Sequence, residues 1–284
     1  MYAKIPSMPE LPEVETIKND LLKKVVGAQI TGVSYTDEGQ KLISKAGQDL
    51  TDSLPGNKIK GIDRKAKYLV LELSNGEKLV FHLKLTGRIL VRNGSDSSDE
   101  FVRLVLTLGD GRQIRFADRN GFGEVKLINA GEKVDQDLGP DPFEVSVQQF
   151  NLLINQTGKE TIKETLLDQK TISGVGNIYA DEALYSAKIN PFRGPRALST
   201  NETAKLLDSI KQVLNEGIKH RGTTIDSYRD TDGRPGTHQF HLLVYGKAGK
   251  PCKKCATRIE YTEIAGRRTH FCPNCQPKEQ LSLF

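Results

Sequence analysis

The chain holds four cysteines among its 284 residues, standing as Cys252-x2-Cys255-x16-Cys272-x2-Cys275. Two C-x2-C pairs at this separation form a tetrahedral zinc set. Each pair offers two thiolates from one turn, and the stretch between them folds back as a hairpin. Two disulfides or redox C-x-x-C pairs are the competing readings, but nothing in the chain points to secretion. With sulfur at all four positions no coordination site is open to substrate, so the expected Zn2+ is one structural ion. The braced hairpin carries Arg267, Arg268 and His270, and a metal-clipped hairpin is a rigid way to present them to phosphate.

A second dense segment is Pro9-Glu10-Leu11-Pro12-Glu13-Val14-Glu15-Thr16. As plain structure it is a helix start, with proline in the first turn and Glu where the helix dipole favours anions. Val14, Ile17, Leu21 and Val25 follow at helical spacing and give one apolar stripe. A β texture comes next: 30–35, 58–64, 68–73, 78–83, 88–92, 102–108, 113–118 and 124–128 are short runs of β-formers. Asn75-Gly76 and Asp110-Gly111 supply tight hairpin turns between them. Many strands with hairpin turns predict an antiparallel sandwich or barrel. After Gly139-Pro140-Asp141-Pro142 the pattern is helical from about 147 to 219, with an N-cap offered at Ser199-Thr200-Asn201. The polar stretch 221–238 has no apolar periodicity and reads as a mobile loop.

Composition narrows the function classes. No apolar run reaches the ~18 residues of a membrane helix, and Met1–Ser7 lacks the apolar core of a secretory signal, so a cytoplasmic protein without a membrane partner is expected. The net charge of +5 is unevenly spread. From Gly246 to Phe284 there are eight Lys/Arg against three acids, which leaves the rest of the chain neutral. A compact basic module on a neutral body suits a polyanion, although a solvated basic face would look the same.

Five blocks in order make this chain resemble the formamidopyrimidine-DNA glycosylases, bacterial base-excision repair enzymes related to endonuclease VIII. They are PELPEVET at 9–16, RKAKYLVLEL at 64–73, FHLKLTG at 81–87, QKTISGVGNIYADEAL at 169–184, and VYGKAGKPCKKC…GRRTHFCPNCQ at 244–276. The resemblance implies an α+β multidomain fold. A β-sandwich or barrel catalytic domain (8–135) is followed by a helix–two-turn–helix domain (136–240) with a lesion-capping loop at 221–237. A zinc finger closes the chain (241–284), and residues 1–7 are an N-terminal extension absent from the mature enzyme.

The same resemblance implies a bifunctional glycosylase/AP lyase for oxidised purines, acting as a monomer on damaged double-stranded DNA. Pro9, freed by removal of Met8, is the nucleophile; Glu10 moves protons at the deoxyribose, and Glu13 supports the site. Lys67 sits at the phosphate beside the lesion. Arg267 grips the backbone opposite Asn177 and assists the second elimination. His82 and Lys163 are carried over as DNA contacts. Leu85 stands where the family has a wedging Met, and Phe122 remains able to intercalate. Where the family loop reads D-P-R-R-F-G, this chain reads Asp118-Arg119-Asn120-Gly121-Phe122-Gly123. Gly121 replaces the Arg expected beside the Phe to pair with the orphaned cytosine, which leaves Arg119 as the nearby cation and predicts relaxed preference for lesions opposite C. An endonuclease VIII-like enzyme for oxidised pyrimidines, or a silent lesion-binding protein if Pro9 is not a free N-terminus, are the alternatives. Met1 and Met8 are the two methionines of the chain, and Met8 is the expected start.

Overall fold

The computed structural model describes residues 8–43 and 49–278, so the expected extension at 1–7 lies outside the described residues. The chain divides into two compact units. The first comprises residues up to Gln136 together with Gly217–Gln239.

This first unit opens with α1 (Leu11–Lys24), whose Val14, Ile17 and Leu21 are fully buried, as the apolar stripe predicts. β1 (Ile30–Tyr35) and two single-turn helices, α2 (Asp37–Gln40) and α3 (Leu50–Ser53), lead into seven further strands. These are β2 (Ile59–Lys65), β3 (Tyr68–Leu73), β4 (Lys78–His82), β5 (Gly87–Asn93), β6 (Val102–Leu108), β7 (Arg112–Asp118) and β8 (Glu124–Ile128). They form two four-stranded sheets, in the orders β1-β6-β7-β5 and β2-β3-β4-β8, with every pairing antiparallel. One hydrophobic core joins inward residues of both sheets to α1, and Phe81 meets Phe116 edge-on with centroids 5.6 Å apart. The sandwich, the strand positions and both hairpin turns match the sequence expectation; Gly76 and Gly111 adopt the positive φ that those turns demand.

The topology does something the strand list could not announce. β4 pairs with β8 in one sheet and β5 pairs with β7 in the other. The connections β4–β5 and β7–β8 both cross between sheets, so they must lie side by side at one end of the sandwich. Those connections carry Leu85 and Phe122.

The second unit comprises Asp137–Glu216 and the residues from Phe240 onward. It contains α4 (Val147–Gln156), α5 (Ile162–Leu167), α6 (Asn177–Ala187), most of α7 (Thr200–Lys219), and the hairpin β9 (Glu260–Ile264) and β10 (Arg267–Phe271). Ser199 starts α7: its hydroxyl accepts from Glu202 N–H at 3.3 Å while the Glu202 carboxylate accepts from Ser199 N–H at 2.9 Å.

Packing accounts for two features of this division. The zinc-finger segment does not separate from the helices, because β10 docks on α6. The segment 217–239 groups with the sandwich, not with the helices that precede it. Beyond the end of α7 it has no strand and only the start of a 3-10 turn at His238–Phe240, but its backbone is held by specific bonds. Thr231 C=O accepts from Val91 N–H at 2.9 Å, and Arg221 pairs with Asp20 and Asp230, each at 2.7 Å.

Candidate functional site

The N-terminus of α1 is the first element to position reactive groups. Pro9 and Glu10 are buried there. Glu10 is the N-cap, and a reciprocal capping box ties its backbone N–H to the Glu13 carboxylate at 2.8 Å while its own carboxylate receives the Glu13 N–H. The second Glu13 oxygen accepts Thr223 N–H at 2.6 Å. Glu13 therefore fixes both the helix start and Thr223 of the polar segment. That chain entry is tight. Gly222 has φ +84, and a Cβ there would sit 2.8 Å from the Tyr228 ring and 3.0 Å from Glu13 Cγ. Tyr228 itself packs into the sandwich core, and burial pushes its phenol well above the usual range.

Lys67 lies in the two-residue turn between β2 and β3, preceded by Ala66 at φ 54. Arg64 seats this turn beside α1: its Nε donates to Glu15 Oε2 at 2.7 Å and its Nη1 to the Ala66 carbonyl at 3.2 Å. Lys67 is buried.

His82 ends β4. Its Nδ1 accepts Lys84 N–H at 3.1 Å, which leaves the ring proton on Nε2, and its ring meets Tyr68 edge-on at 4.7 Å. Burial first, then the Lys84 charge, push it down to about 3. It is a neutral donor at any cellular pH, so a phosphate bond made by it would be N–H to anion and not an ion pair.

The paired connections between the sheets are organised by Asp118, which is 1 % exposed. One oxygen accepts the Thr86 hydroxyl and Asn120 N–H, the other accepts Gly123 N–H at 2.8 Å. Asn120 N–H also reaches Thr86 Oγ1 at 3.0 Å. Gly123 has no room for a side chain, since a Cβ would fall 2.5 Å from the Phe116 ring. This bracing presents Phe122, 60 % exposed, and a half-buried Leu85 at adjacent turns. An apolar side chain held in water by a buried carboxylate is suited to enter a base stack. The two positions where the family loop reads Arg are Asn120 and Gly121; Gly121 has φ +68 and open space around it.

In the second unit, Gly174 (φ +87) and Gly176, the N-cap of α6, form the turn before Asn177. Gln169 clamps this turn: its side chain accepts Gly174 N–H at 2.9 Å and donates to the Val175 carbonyl at 2.8 Å. Asn177 Nδ2 donates to the Arg268 carbonyl at 2.9 Å, which ties the helix start to the hairpin that bears Arg267. Arg267 is exposed, next to the Ala265-Gly266 turn in which both residues have positive φ.

Lys163 corrects the sequence expectation. It is 0 % exposed, its ammonium bonded to Asp181 Oδ1 at 2.5 Å and to the Asn177 carbonyl at 3.1 Å. Asp181 Oδ2 in turn accepts His270 N–H at 2.8 Å and faces His270 Nδ1 at 3.1 Å. An ammonium so enclosed cannot touch a phosphate. It neutralises the carboxylate that clips β10 to α6, and so positions the Asn177 and Arg267 elements. Glu182, also buried, accepts three backbone N–H groups from Leu243, Val244 and Tyr245 at 2.8–2.9 Å, fixing the chain on its way to the cysteines.

The four cysteine sulfurs lie within 4.8 Å of one another. Cys252–Cys275, Cys255–Cys272 and Cys255–Cys275 are 3.8, 3.5 and 3.5 Å apart. Thiolates about 2.3 Å from a tetrahedral Zn2+ stand about 3.8 Å from each other, so these residues fit one structural zinc ion. Lys254 N–H and Cys275 N–H point at Cys252 and Cys272 sulfur, at 3.4 and 3.5 Å. Tyr185 Oη, from α6, lies 3.1 Å from Cys252 Sγ.

A Gly-rich turn opening onto a helix, tied to a four-sulfur hairpin, is the arrangement of a helix–two-turn–helix and zinc-finger protein. Models of three domains match in order: the formamidopyrimidine-DNA glycosylase N-terminal domain over 8–125, its H2TH domain over 138–229, and the zinc finger found in FPG and IleRS over 249–278. The formamidopyrimidine-DNA glycosylase of Herpetosiphon aurantiacus is 40 % identical over 273 residues, covering 95 % of this chain and all of that protein. A Lactococcus lactis FPG variant in complex with Fapy-dG-containing DNA superposes with a TM-score of 0.86 at 34 % identity, covering 95 % of this chain and 100 % of that one. The MutM (FPG) protein of Thermus thermophilus gives 0.83 at 36 %, over 94 % and 98 %. The chain belongs to the formamidopyrimidine-DNA glycosylase family.

Signals for the residues missed by sequence reasoning were slight. Asp118 opens the loop 118–123 and Glu182 lies in the block 169–184, but a lone acid in a turn or helix ordinarily faces solvent. Asp181 and His270 are 89 positions apart. Nothing in a single sequence pairs them.

Proposed function

We propose that this protein is a base-excision repair DNA glycosylase with AP lyase activity that removes oxidised purines, using Pro9 as nucleophile. The observation that carries the reading is the α1 N-terminus, where Pro9 and Glu10 are held by the capping box and by Glu13. A free proline amine with a pKa near ~8 is partly neutral at cellular pH. Its lone pair attacks C1′ of the damaged nucleoside, and the glycosidic pair leaves with the base, which takes up a proton. The amine loses its own proton and the sugar ring opens, giving an iminium. That cation acidifies the C2′ hydrogen. A carboxylate or water takes the proton, the freed electron pair shifts toward C3′, and the 3′ phosphate departs with its bonding pair. A second elimination then releases the 5′ phosphate. Glu10 is the group placed to carry protons at the sugar, Lys67 to balance phosphate charge, and Arg267 with Asn177 to hold the backbone. The lesion leaves the stack to be reached, and Leu85 and Phe122 fill the gap. Zinc supplies rigidity to the Arg267 hairpin and no chemistry. The protein works as a monomer in the bacterial cytoplasm, at the nucleoid.

The reading requires Pro9 to be the first residue, and the N-terminal domain match begins at residue 8. Mass spectrometry of the protein isolated from its own cells should find Pro9 at the N-terminus. Borohydride should trap that protein on 8-oxoguanine duplex, and Pro9→Gly should abolish or greatly slow trapping. Undiminished trapping by the variant would move the nucleophile to Lys67. A wild-type protein that binds the duplex but never forms the adduct would favour the silent lesion-binding reading. Faster excision of oxidised pyrimidines than of oxidised purines would favour the endonuclease VIII-like one.

A further inference from the structure

Phe101 is a large apolar side chain that the sandwich core does not absorb. It is 47 % exposed, and its backbone takes a positive φ of 60°. That left-handed conformation is uncommon for any residue with a side chain and costly for a bulky one. It persists because the chain is held on both sides. Before it, buried Arg115 donates to the Asp96 and Ser97 carbonyls at 3.1 and 2.7 Å. Arg115 and Arg92 each bind the Asp99 carboxylate at 3.0 Å. After it, Val102 enters β6 opposite Ala117 of β7. Phe101 itself stands across from Asp118, whose N–H donates to the Phe101 carbonyl at 2.9 Å, and Arg103 Nε donates to the Asp118 carbonyl at 3.0 Å. The residue that braces Phe122 therefore also fixes the backbone of Phe101. Residues directly opposed in an antiparallel pair share one face of the sheet, and Asp118 points inward. Regular extended backbone would turn Phe101 inward as well; the left-handed turn keeps it in water.

The surroundings are cationic. Arg119 Nη2 donates to Asp226 Oδ2 at 3.3 Å, and Arg88 Nε donates to the Ser227 carbonyl at 2.9 Å. Burial first, then the charges of Arg229 and Arg119, hold Arg88 below the usual guanidinium range, and Asp226 and Glu100 are the acids that oppose them. Glu100 precedes Phe101, which places the aromatic residue at the rim of a group of three arginines. Resting on the glycosylase reading above, we infer that Phe101 is a second aromatic contact with damaged DNA, pressing on the nucleotide next to the gap that Phe122 enters. A kinked, partly unstacked duplex exposes apolar faces of base and sugar beside the wedge. A phenyl ring covers such a face whatever the base, because stacking reads no hydrogen bonds. The arginines meet phosphate while Phe101 covers the apolar surface between. Backbone strain held in place on both sides, with its side chain turned to solvent, belongs to a functional contact.

The test is equilibrium binding of the whole protein to a duplex bearing an uncleavable abasic analogue and to the same duplex undamaged, with melting temperatures measured alongside. Asn tolerates positive φ, so Phe101→Asn relieves the backbone and should melt no earlier than wild type. It should nevertheless bind the damaged duplex about tenfold more weakly, the loss expected of one stacked aromatic, and the undamaged duplex less than about threefold more weakly. The slope of log affinity against log salt concentration should stay as in wild type, because no phosphate charge loses its partner. Phe101→Tyr, which keeps the ring, should bind like wild type. Unchanged affinity in Phe101→Asn, an equal loss on both duplexes, a reduced salt slope, or an equally weak Phe101→Tyr would each overturn the inference. A loss of affinity accompanied by a melting temperature lower by roughly 5 °C would also overturn it, by making Phe101 a packing residue. Binding needs no turnover, so a wild type that binds but forms no borohydride adduct defeats the glycosylase reading and still leaves Phe101 decided.

Discussion

Replacing Lys163 with Met separates a positioning role from DNA contact. The ammonium is fully enclosed and opposes Asp181, which is equally buried. Removing one partner of such a pair strands the other charge, at a cost of about 3–5 kcal/mol. Asp181 keeps the backbone N–H of His270 and faces its ring nitrogen, so the lower end, about 3 kcal/mol, is expected. In a unit of this size that corresponds to a fall in melting temperature of roughly 10 °C. Calorimetry and a salt titration of DNA binding form the assay. Lys163→Met should melt earlier, while the slope of log affinity against log salt concentration stays as in wild type. A residue that neutralised a phosphate would instead lower that slope by about 0.9. The double variant Lys163→Met/Asp181→Leu should recover part of the lost stability, because an apolar pair replaces a stranded charge. Unchanged melting with a reduced salt slope would refute the positioning argument and return Lys163 to the DNA surface.

His82 makes the sandwich acid-sensitive. Its folded pKa of about 3 lies below the ordinary value of about 6.5, so the unfolded chain binds the extra proton and stability falls as pH drops through that window. His82→Gln should make the acid-side loss shallower by up to one proton in denaturant titrations across that range; an identical slope would show that the imidazole is not held neutral. Zinc removal by a chelator should weaken DNA binding, because the hairpin bearing Arg267 loses its brace, and unchanged affinity would place that hairpin away from DNA. Tyr185→Phe should speed zinc loss to a competing chelator by tenfold or more, through loss of the hydroxyl bond to Cys252. An equal rate would mean that the hydroxyl does nothing for the metal.

What the sequence by itself determined is local or repetitive. The alternation of β-formers and the Asn-Gly and Asp-Gly turns placed all eight strands of the sandwich, because a strand buried on one face has a period that cannot be hidden. The four cysteines declared their zinc site through spacing, since each C-x2-C pair is a ligand set within one turn. Pro9, Glu10 and Glu13 announced a helix start for the same reason, the interactions there spanning three residues. Only the tertiary structure decided which distant residues meet. It buried Lys163 against Asp181 and turned an expected phosphate contact into a brace. It moved 217–239 from the helices to the sandwich through bonds to Glu13, Asp20 and Leu85, partners more than 140 residues away. It also placed Asp226 against Arg119, over a separation of 107 residues. Such pairings carry no period and no spacing. They follow from how two sheets stack and where their crossing turns emerge, which is settled when the chain folds.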